Sequence, residues 1–276
     1  MVKIGFIGAG KIGVSLGKYF KENGLDVIGV YSRNEASAKV GAALIGVDHF
    51  ETAEALISKS DILFLTVSDQ AIKEVWETIS KFDIKDKIIC HCSGALSSCV
   101  FDGIGQLGAW GYSLHPAMAI SHKEAHKELE NAPFTLEGAA EKLDIVETLI
   151  GSLGNPVHHL TAENKPLYHC AAVFSSNFMT ALTQISMDLL DKCGVDDPSI
   201  FIPLMSASAK NILGKGPVNA LTGPVERGDV ETVAKHLSAL DSDEKKIYTS
   251  LSKKLIEIAE IKNPQRDYND LKIMID

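Results

Sequence analysis

Lys3-Ile4-Gly5-Phe6-Ile7-Gly8-Ala9-Gly10-Lys11-Ile12-Gly13-Val14-Ser15-Leu16 decides how the first half of this 276-residue chain folds. Residues 2–7 are an apolar run of strand length, and the glycines follow at once. Val14, Leu16, Gly17 and Phe20 then keep a helical spacing. Strand, G-x-G-x-x-G and helix, in that order, are what a dinucleotide pyrophosphate needs. Gly8 permits the tight turn, Gly10 puts no Cβ between backbone and phosphate, and Gly13 lets the helix lie close on the strand. The open N–H groups at the helix start would hold the anion. Gly8, Ala9, Gly10, Lys11, Ile12 and Gly13 are therefore candidate cofactor residues.

The next strand, 26–31, ends in Ser32-Arg33-Asn34. A site for NAD usually places an acid there to hold the ribose 2′-hydroxyl. This chain offers a hydroxyl, a guanidinium and an amide instead, a set suited to a 2′-phosphate. The expected cofactor is NADP(H), and Ser32, Arg33 and Asn34 join the candidate residues. The missing acid also argues against S-adenosylmethionine.

Further apolar runs at 61–66, 87–91, 109–114, 132–136 and 155–159 predict strands. Helical patterns lie at 10–23, 35–44, 51–58, 69–80 and 139–151. Runs such as Ile62-Leu63-Phe64-Leu65 have no polar face, as in a parallel sheet covered on both sides. The alternation predicts a doubly wound α/β domain over residues 1–160, with ligands at the carboxyl ends of its strands. Val67 and Ser68 sit at one such end and are assigned to the cofactor. His91-Cys92-Ser93-Gly94 and His115-Pro116 sit at two others. Ser93 and Gly94 could offer a hydroxyl and an N–H to a substrate carboxylate. His115 could shape the pocket or contact the nicotinamide.

From about residue 160 no strand pattern remains, and residues 161–276 read as an all-helical domain for substrate and dimerisation. Pro166 suits a first helical turn. Apolar spacing then runs through Leu167, Ala171, Phe174, Phe178, Leu182, Ile185 and Leu189 to about Lys192, predicting one helix of about 27 residues, roughly 40 Å long. Its apolar residues are too widely spread for a single face, which implies burial between layers or subunits. We expect a homodimer through this half. More helices are expected near 198–212, 229–240 and 242–260, with Asp229 capping one of them.

A net charge of −9 argues against nucleic-acid and anionic-membrane partners. No apolar run is long enough to span a bilayer, and with the first strand starting at residue 2 we expect no signal peptide. The five cysteines are odd in number and lack C-x-x-C spacing, so we expect reduced thiols in a cytoplasmic protein. Cys90 and Cys92 would share one strand face with His91 on the other, which argues against a metal site.

His91-Cys92-Ser93-Gly94-Ala95-Leu96, Ser113-Leu114-His115-Pro116, Tyr168-His169-Cys170-Ala171-Ala172 with Ser176-Asn177-Phe178, and Ala220-Leu221-Thr222-Gly223-Pro224 with Arg227-Gly228-Asp229 resemble one group over essentially the whole chain. That group is the Rossmann-like family carrying the domain of unknown function 2520, within the wider superfamily that includes 3-hydroxyisobutyrate dehydrogenase. The resemblance implies a Rossmann sheet followed by a helical domain, and an NADP oxidoreductase. Some members look like a separate class of ketopantoate reductase, which converts 2-dehydropantoate to pantoate. In related dehydrogenases a lysine at the start of the interdomain helix is the acid and alkoxide stabiliser. The resemblance assigns that role to Lys165, in a cleft between the two domains. Those relatives often carry Asn one turn later, where this chain has His169, which could share the proton relay or orient the substrate. Lys165 precedes proline, which disfavours a helical backbone there. Asn177, two turns past His169, is a further substrate candidate. Reduction of a small 2-oxo acid leads. Reduction of a cyclic imine or other carbonyl, and a non-catalytic NADPH sensor, are the alternatives.

Overall fold

The computed structural model describes residues 2–276. By its contacts the chain divides into two compact units, Met1–Met179 and Thr180–Asp276. The first is built on an eight-stranded sheet: β1 (Lys3–Ile7), β2 (Asp26–Tyr31), β3 (Asp48–His49), β4 (Ile62–Leu65), β5 (Ile88–His91), β6 (Trp110–Pro116), β7 (Phe134–Gly138) and β8 (Val157–His159). The strand order is β3-β2-β1-β4-β5-β6-β7-β8. The order reverses at β1, so the turn after β1 lies at the switch point where doubly wound sheets bind ligands. Its helices are α1 (Lys11–Glu22), α2 (Glu35–Ile45), α3 (Ala53–Lys59), α4 (Asp69–Ile79), α5 (Leu143–Gly151) and α6 (Lys165–Ser175).

The all-apolar strands fill both faces of the sheet. Ile62 and Phe64 enter one core with Phe6, Phe20, Cys90 and Tyr112, while Leu63 and Leu65 enter the other with Ile72, Trp76, Ile89 and Phe101. Phe6 stacks on Phe64 at 5.2 Å, and Phe20 meets Phe64 edge-on at 5.5 Å. Each such buried ring contributes about 1.5–3 kcal/mol. The same alternation separates Cys90 and Cys92, both in the first core, from His91, whose ring lies 5.4 Å from Phe101 in the second.

Three local readings are corrected. First, β7 runs antiparallel to β6, with Ser113 paired to Glu137 and Pro116 to Phe134. The link between them holds a 3₁₀ turn at Ala125–Leu129 in place of the α-helix that a parallel crossover usually carries. Second, the two-residue β3 escaped notice because Asp48-His49 carries no apolar pattern. Phe50 anchors it, donating its N–H to Val30 O at 2.9 Å and lying across Gly29. Third, the expected long helix is two: α6 stops at Ser175, Ser176 leaves the helical region (φ −130°, ψ −71°), and α7 (Asn177–Lys192) begins anew. Ser175, Ser176 and Asn177 are side chains that compete with helical hydrogen bonds. Ser175 Oγ bonds back to Ala171 O at 2.9 Å.

The second unit holds most of α7, then α8 (Ile202–Ala220), α9 (Pro224–Arg227), α10 (Val230–Ala239), α11 (Ser242–Lys262) and α12 (Asn269–Ile275). Val225, Val233, Ile256, Ala259, Tyr268 and Leu271 form its core. Asp229 caps α10, accepting from Thr232 N at 3.0 Å. Asp241 and Glu244 close a capping box on α11, and Lys192 Nζ donates to Glu244 at 2.6 Å. Among the described residues, no helix is long and apolar enough to cross a membrane.

Candidate active site

Two cavities of the first unit collect most of the candidate residues. One, of about 550 Å³, opens on Gly8, Ala9 and Gly10 and reaches Ser32 and Arg33 on one side and Val67 and Ser68 on the other. Gly8 has φ +116°, and a Cβ there would stand 2.7 Å from Thr66 O. Gly13 is equally confined: its Cβ would strike Gly8 O and Thr66 Oγ1. Thr66 Oγ1 also donates to Gly8 O at 2.9 Å, locking the turn. Gly10, the N-cap of α1, has no side chain to cover the helix N–H groups. The turn and the bare helix start fit a dinucleotide pyrophosphate.

Not every candidate faces this cavity. Lys11, Ile12, Gly13 and Asn34 lie outside its wall. Ile12 packs on the first core. Asn34 caps α2, its side-chain oxygen accepting from Ser37 N at 2.9 Å. Two charged residues not expected there do face it. Lys123 comes from the β6–β7 link, and Glu74 from α4 sets Oε1 3.0 Å from Arg33 Nη1.

The other cluster forms where β5, β6 and α6 meet. Lys165 is only 1% exposed, at the start of α6. Its backbone is helical (φ −55°, ψ −47°) in spite of the following proline. Nζ donates to Ser93 O at 3.0 Å and to Ser113 Oγ at 2.7 Å. Ser113 Oγ in turn donates to Ser93 O at 3.2 Å. An ammonium has three N–H groups, so one remains. Burial pulls the Lys165 pKa down to about 8, with the Glu137 carboxylate first among the groups that resist. Glu137 is itself buried, pairs with Ser113 across β6 and β7, and accepts from Ser98 N at 2.7 Å and Ser98 Oγ at 2.8 Å.

Ser93 is a hinge of this network. Its hydroxyl donates to Asp69 Oδ2 at 2.7 Å and accepts from Ala95 N at 3.2 Å and Leu96 N at 3.0 Å. That hydroxyl thus shapes the turn after β5 with its own bonds. His91 fixes the same turn, because Ser93 N donates to its Nδ1 at 3.2 Å while its Nε2 lies 3.1 Å from Ser97 O. This pattern sets the Nε2-protonated tautomer. Burial holds His91 down at about 4, so the ring is neutral near pH 7.

The second cavity, of about 740 Å³, is lined by His115, Tyr168, His169, Ser176 and Asn177 with apolar residues and two further serines, and none of its lining residues is Lys, Arg, Asp or Glu. His115 Nδ1 lies 2.9 Å from Tyr168 OH, and burial followed by the Lys165 charge lowers its pKa to about 4. The Tyr168 ring, part of the cavity wall, lies 5.7 Å from Lys165 Nζ. His169 Nδ1 is buried without a hydrogen-bond partner and faces Gly94. A Cβ at Gly94 would lie 2.7 Å from that nitrogen and 3.0 Å from His115 Nε2, so both imidazoles need a glycine there. Tyr168, Ser113, Asp69 and Glu137 escaped the sequence reading as site residues. Tyr168 adjoins His169 and Asp69 adjoins Ser68, but Ser113 and Glu137 could be found only from strand register. Elsewhere, Arg227 pairs with Asp229 at 3.8 Å and is exposed. The β8 histidines, His158 and His159, lie on the surface.

Comparison with known proteins bears on the family and the fold. The model described as NADP oxidoreductase coenzyme F420-dependent matches residues 3–93, and the domain of unknown function 2520 matches residues 132–255. No curated protein shows significant sequence similarity to the chain. Among solved structures, protein TM1727 from Thermotoga maritima is 29% identical with a TM-score of 0.75, covering 94% of this chain and 99% of its own. BF3122 from Bacteroides fragilis, described as a candidate NADP oxidoreductase, is 24% identical with a TM-score of 0.78, covering 93% and 98%. A reductive aminase from Aspergillus terreus, solved with NADPH and ethyl-5-oxohexanoate, shares the fold at 15% identity and a TM-score of 0.66, covering 99% of each chain. The chain is thus similar, in order, to the NADP oxidoreductase family over residues 3–93 and to the domain of unknown function 2520 over residues 132–255, and it shares its fold with imine reductases and reductive aminases.

Proposed function

We propose that this protein is an NADPH-dependent reductase of a small carbonyl compound, with 2-oxo acids first and 2-dehydropantoate the lead substrate. One observation carries the reading: a buried ammonium, Lys165, with two N–H groups fixed by Ser93 O and Ser113 Oγ and a third left over. When bound, the cofactor supplies the hydride. The Gly8–Gly10 turn and the start of α1 hold its pyrophosphate, and Arg33 with Ser32 takes the 2′-phosphate.

Reduction of C=O places negative charge on oxygen, and a preorganised cation in a dry site is the strongest means of stabilising it. The third N–H of Lys165 meets that oxygen and gives it a proton, leaving a neutral amine. A lysine with pKa about 8 suits the task, since it is mostly charged at pH 7 yet releases its proton more readily than an exposed one. Tyr168 and the neutral imidazole of His115 hold the substrate side of the network, and His169 orients the substrate. Asn177 and the Gly94 backbone take its polar end.

A second reading has its own support. The cavity lining has no fixed charge to meet a carboxylate, which favours an uncharged carbonyl or an imine. NADPH consumption with ketopantoate, pyruvate, 2-oxoisovalerate and pyrroline-5-carboxylate separates the two. Turnover with ketopantoate alone supports the lead substrate, and turnover only with the cyclic imine moves the assignment. NADPH binding with no turnover on a broad carbonyl and imine panel would mark a sensor.

We also infer a homodimer through the helical half. In α8 no residue is buried, and Ile202, Leu204, Ile212 and Leu213 stand 59%, 61%, 50% and 88% exposed. Such an apolar surface is unusual for a monomer. Sedimentation at micromolar concentration tests it, and a monomer there defeats it.

A further inference from the structure

Strand β2 ends without an acid, and that absence points the adenosine end of the cleft to a 2′-phosphate. The folded chain nevertheless delivers a carboxylate to the same place from a different element. Glu74 lies in the middle of α4, and its Oε1 is 3.0 Å from Nη1 of Arg33, just past β2. Both side chains line the Gly8–Gly10 cavity, together with Ser32 and Ser37. They are 65% and 73% exposed, so the pair contributes almost nothing to folding and is open to a ligand.

We propose that Glu74 sets the nucleotide specificity of this cleft. It competes with a 2′-phosphate for Arg33 and accepts the 2′-hydroxyl of the unphosphorylated dinucleotide. The inference rests on Arg33 as the 2′-phosphate ligand. A guanidinium presents a planar fork that a phosphate engages through two oxygens. With Glu74 on one prong, the phosphate must displace the carboxylate and then remain beside it. Like charges a few ångströms apart in a solvated cleft weaken binding by roughly several-fold, and salt screens the effect. The hydroxyl of an unphosphorylated ribose suffers no such repulsion and has an acceptor in Glu74. The site therefore takes both dinucleotides, and its preference for the phosphorylated one is smaller than Arg33 alone would give.

The test is direct binding of NADPH and NADH, read by nicotinamide fluorescence, to the wild type, Glu74→Gln, Arg33→Gln and the double variant. Both positions are exposed, so folding is not at risk. Glu74→Gln should tighten NADPH about 3- to 10-fold at low salt and weaken NADH about 2- to 5-fold, with the NADPH gain shrinking as salt rises. The gain should vanish on the Arg33→Gln background. An unchanged NADPH/NADH ratio in Glu74→Gln, with Arg33→Gln still weakening NADPH, would overturn the role of Glu74 and leave the cofactor assignment standing. Weaker NADPH binding in Glu74→Gln would also overturn it, by showing that the carboxylate orients Arg33 for the phosphate. No loss of NADPH affinity in Arg33→Gln would remove both.

Discussion

Lys165 and Arg33 are the two cations on which the proposed function turns, and they are held in opposite ways. Lys165 is enclosed, bonded to a carbonyl and a hydroxyl at fixed distances, and flanked by the buried carboxylate of Glu137. Arg33 is open to water and paired with an equally open Glu74. Burial changes what a charge can do. In the enclosed site, desolvation reaches into the protonation state itself and lowers the Lys165 pKa. At the open rim, water and salt screen each interaction, and selectivity is a balance of small terms. Chemistry is assigned to the first environment and discrimination to the second.

The largest effect should therefore follow from Lys165. Lys165→Ala is expected to lower kcat by about 10³-fold or more while changing the Kd for NADPH less than about threefold. Unchanged turnover on the true substrate would remove Lys165 from the mechanism. The acid dependence has a definite sign. Reduction consumes the Lys165 proton, so kcat should fall as pH rises through about 8, and alcohol oxidation, which needs the neutral amine, should rise across the same range. Glu137 opposes the downward shift, so Glu137→Gln should move both midpoints to lower pH. A simple loss of activity with an unmoved midpoint would make Glu137 a structural acid that holds Ser98 and nothing more.

Arg33 should give an intermediate effect. Arg33→Asp is expected to weaken NADPH by about 10- to 100-fold, with little change for NADH, since a charge-assisted pair is lost and a repulsion added. Equal losses for both cofactors would break the contrast between the two cations.

The sequence reveals these two regions unequally, for a physical reason. The nucleotide turn is local: Gly8, Gly10 and Gly13 sit within six residues, and backbone sterics alone require the first and last of them. The antiparallel β7 was also recoverable, because no helical pattern separates residues 114 and 132. The lysine network is non-local. Ser93, Ser113, Glu137 and Lys165 come from four elements, and Glu137 joins them only through its pairing with Ser113. No spacing in the chain announces that register. Glu74 is hidden in the same way, since the sequence rule looks for an acid at the end of β2 and the fold brings one from α4. The break at Ser176 was written in the chain as Ser175-Ser176-Asn177, but an unbroken apolar spacing across it masked the signal.

Asn34 supplies the smallest test, and it separates a structural use of the rim from a ligand-binding one. Its side-chain oxygen is already engaged as the N-cap of α2, which leaves the amide N–H groups as its only means of holding a cofactor. If capping is its role, Asn34→Ala should destabilise the fold by about 1 kcal/mol and leave the NADPH/NADH ratio untouched. Asn34→Asp keeps the cap oxygen and should keep the stability, while its negative charge weakens NADPH by a few-fold at low salt. A fold as stable as the wild type in Asn34→Ala, with NADPH tenfold weaker, would return this residue to the cofactor. The rim would then hold its ligand by three adjacent residues, Ser32, Arg33 and Asn34, and owe less to the balance between Arg33 and Glu74.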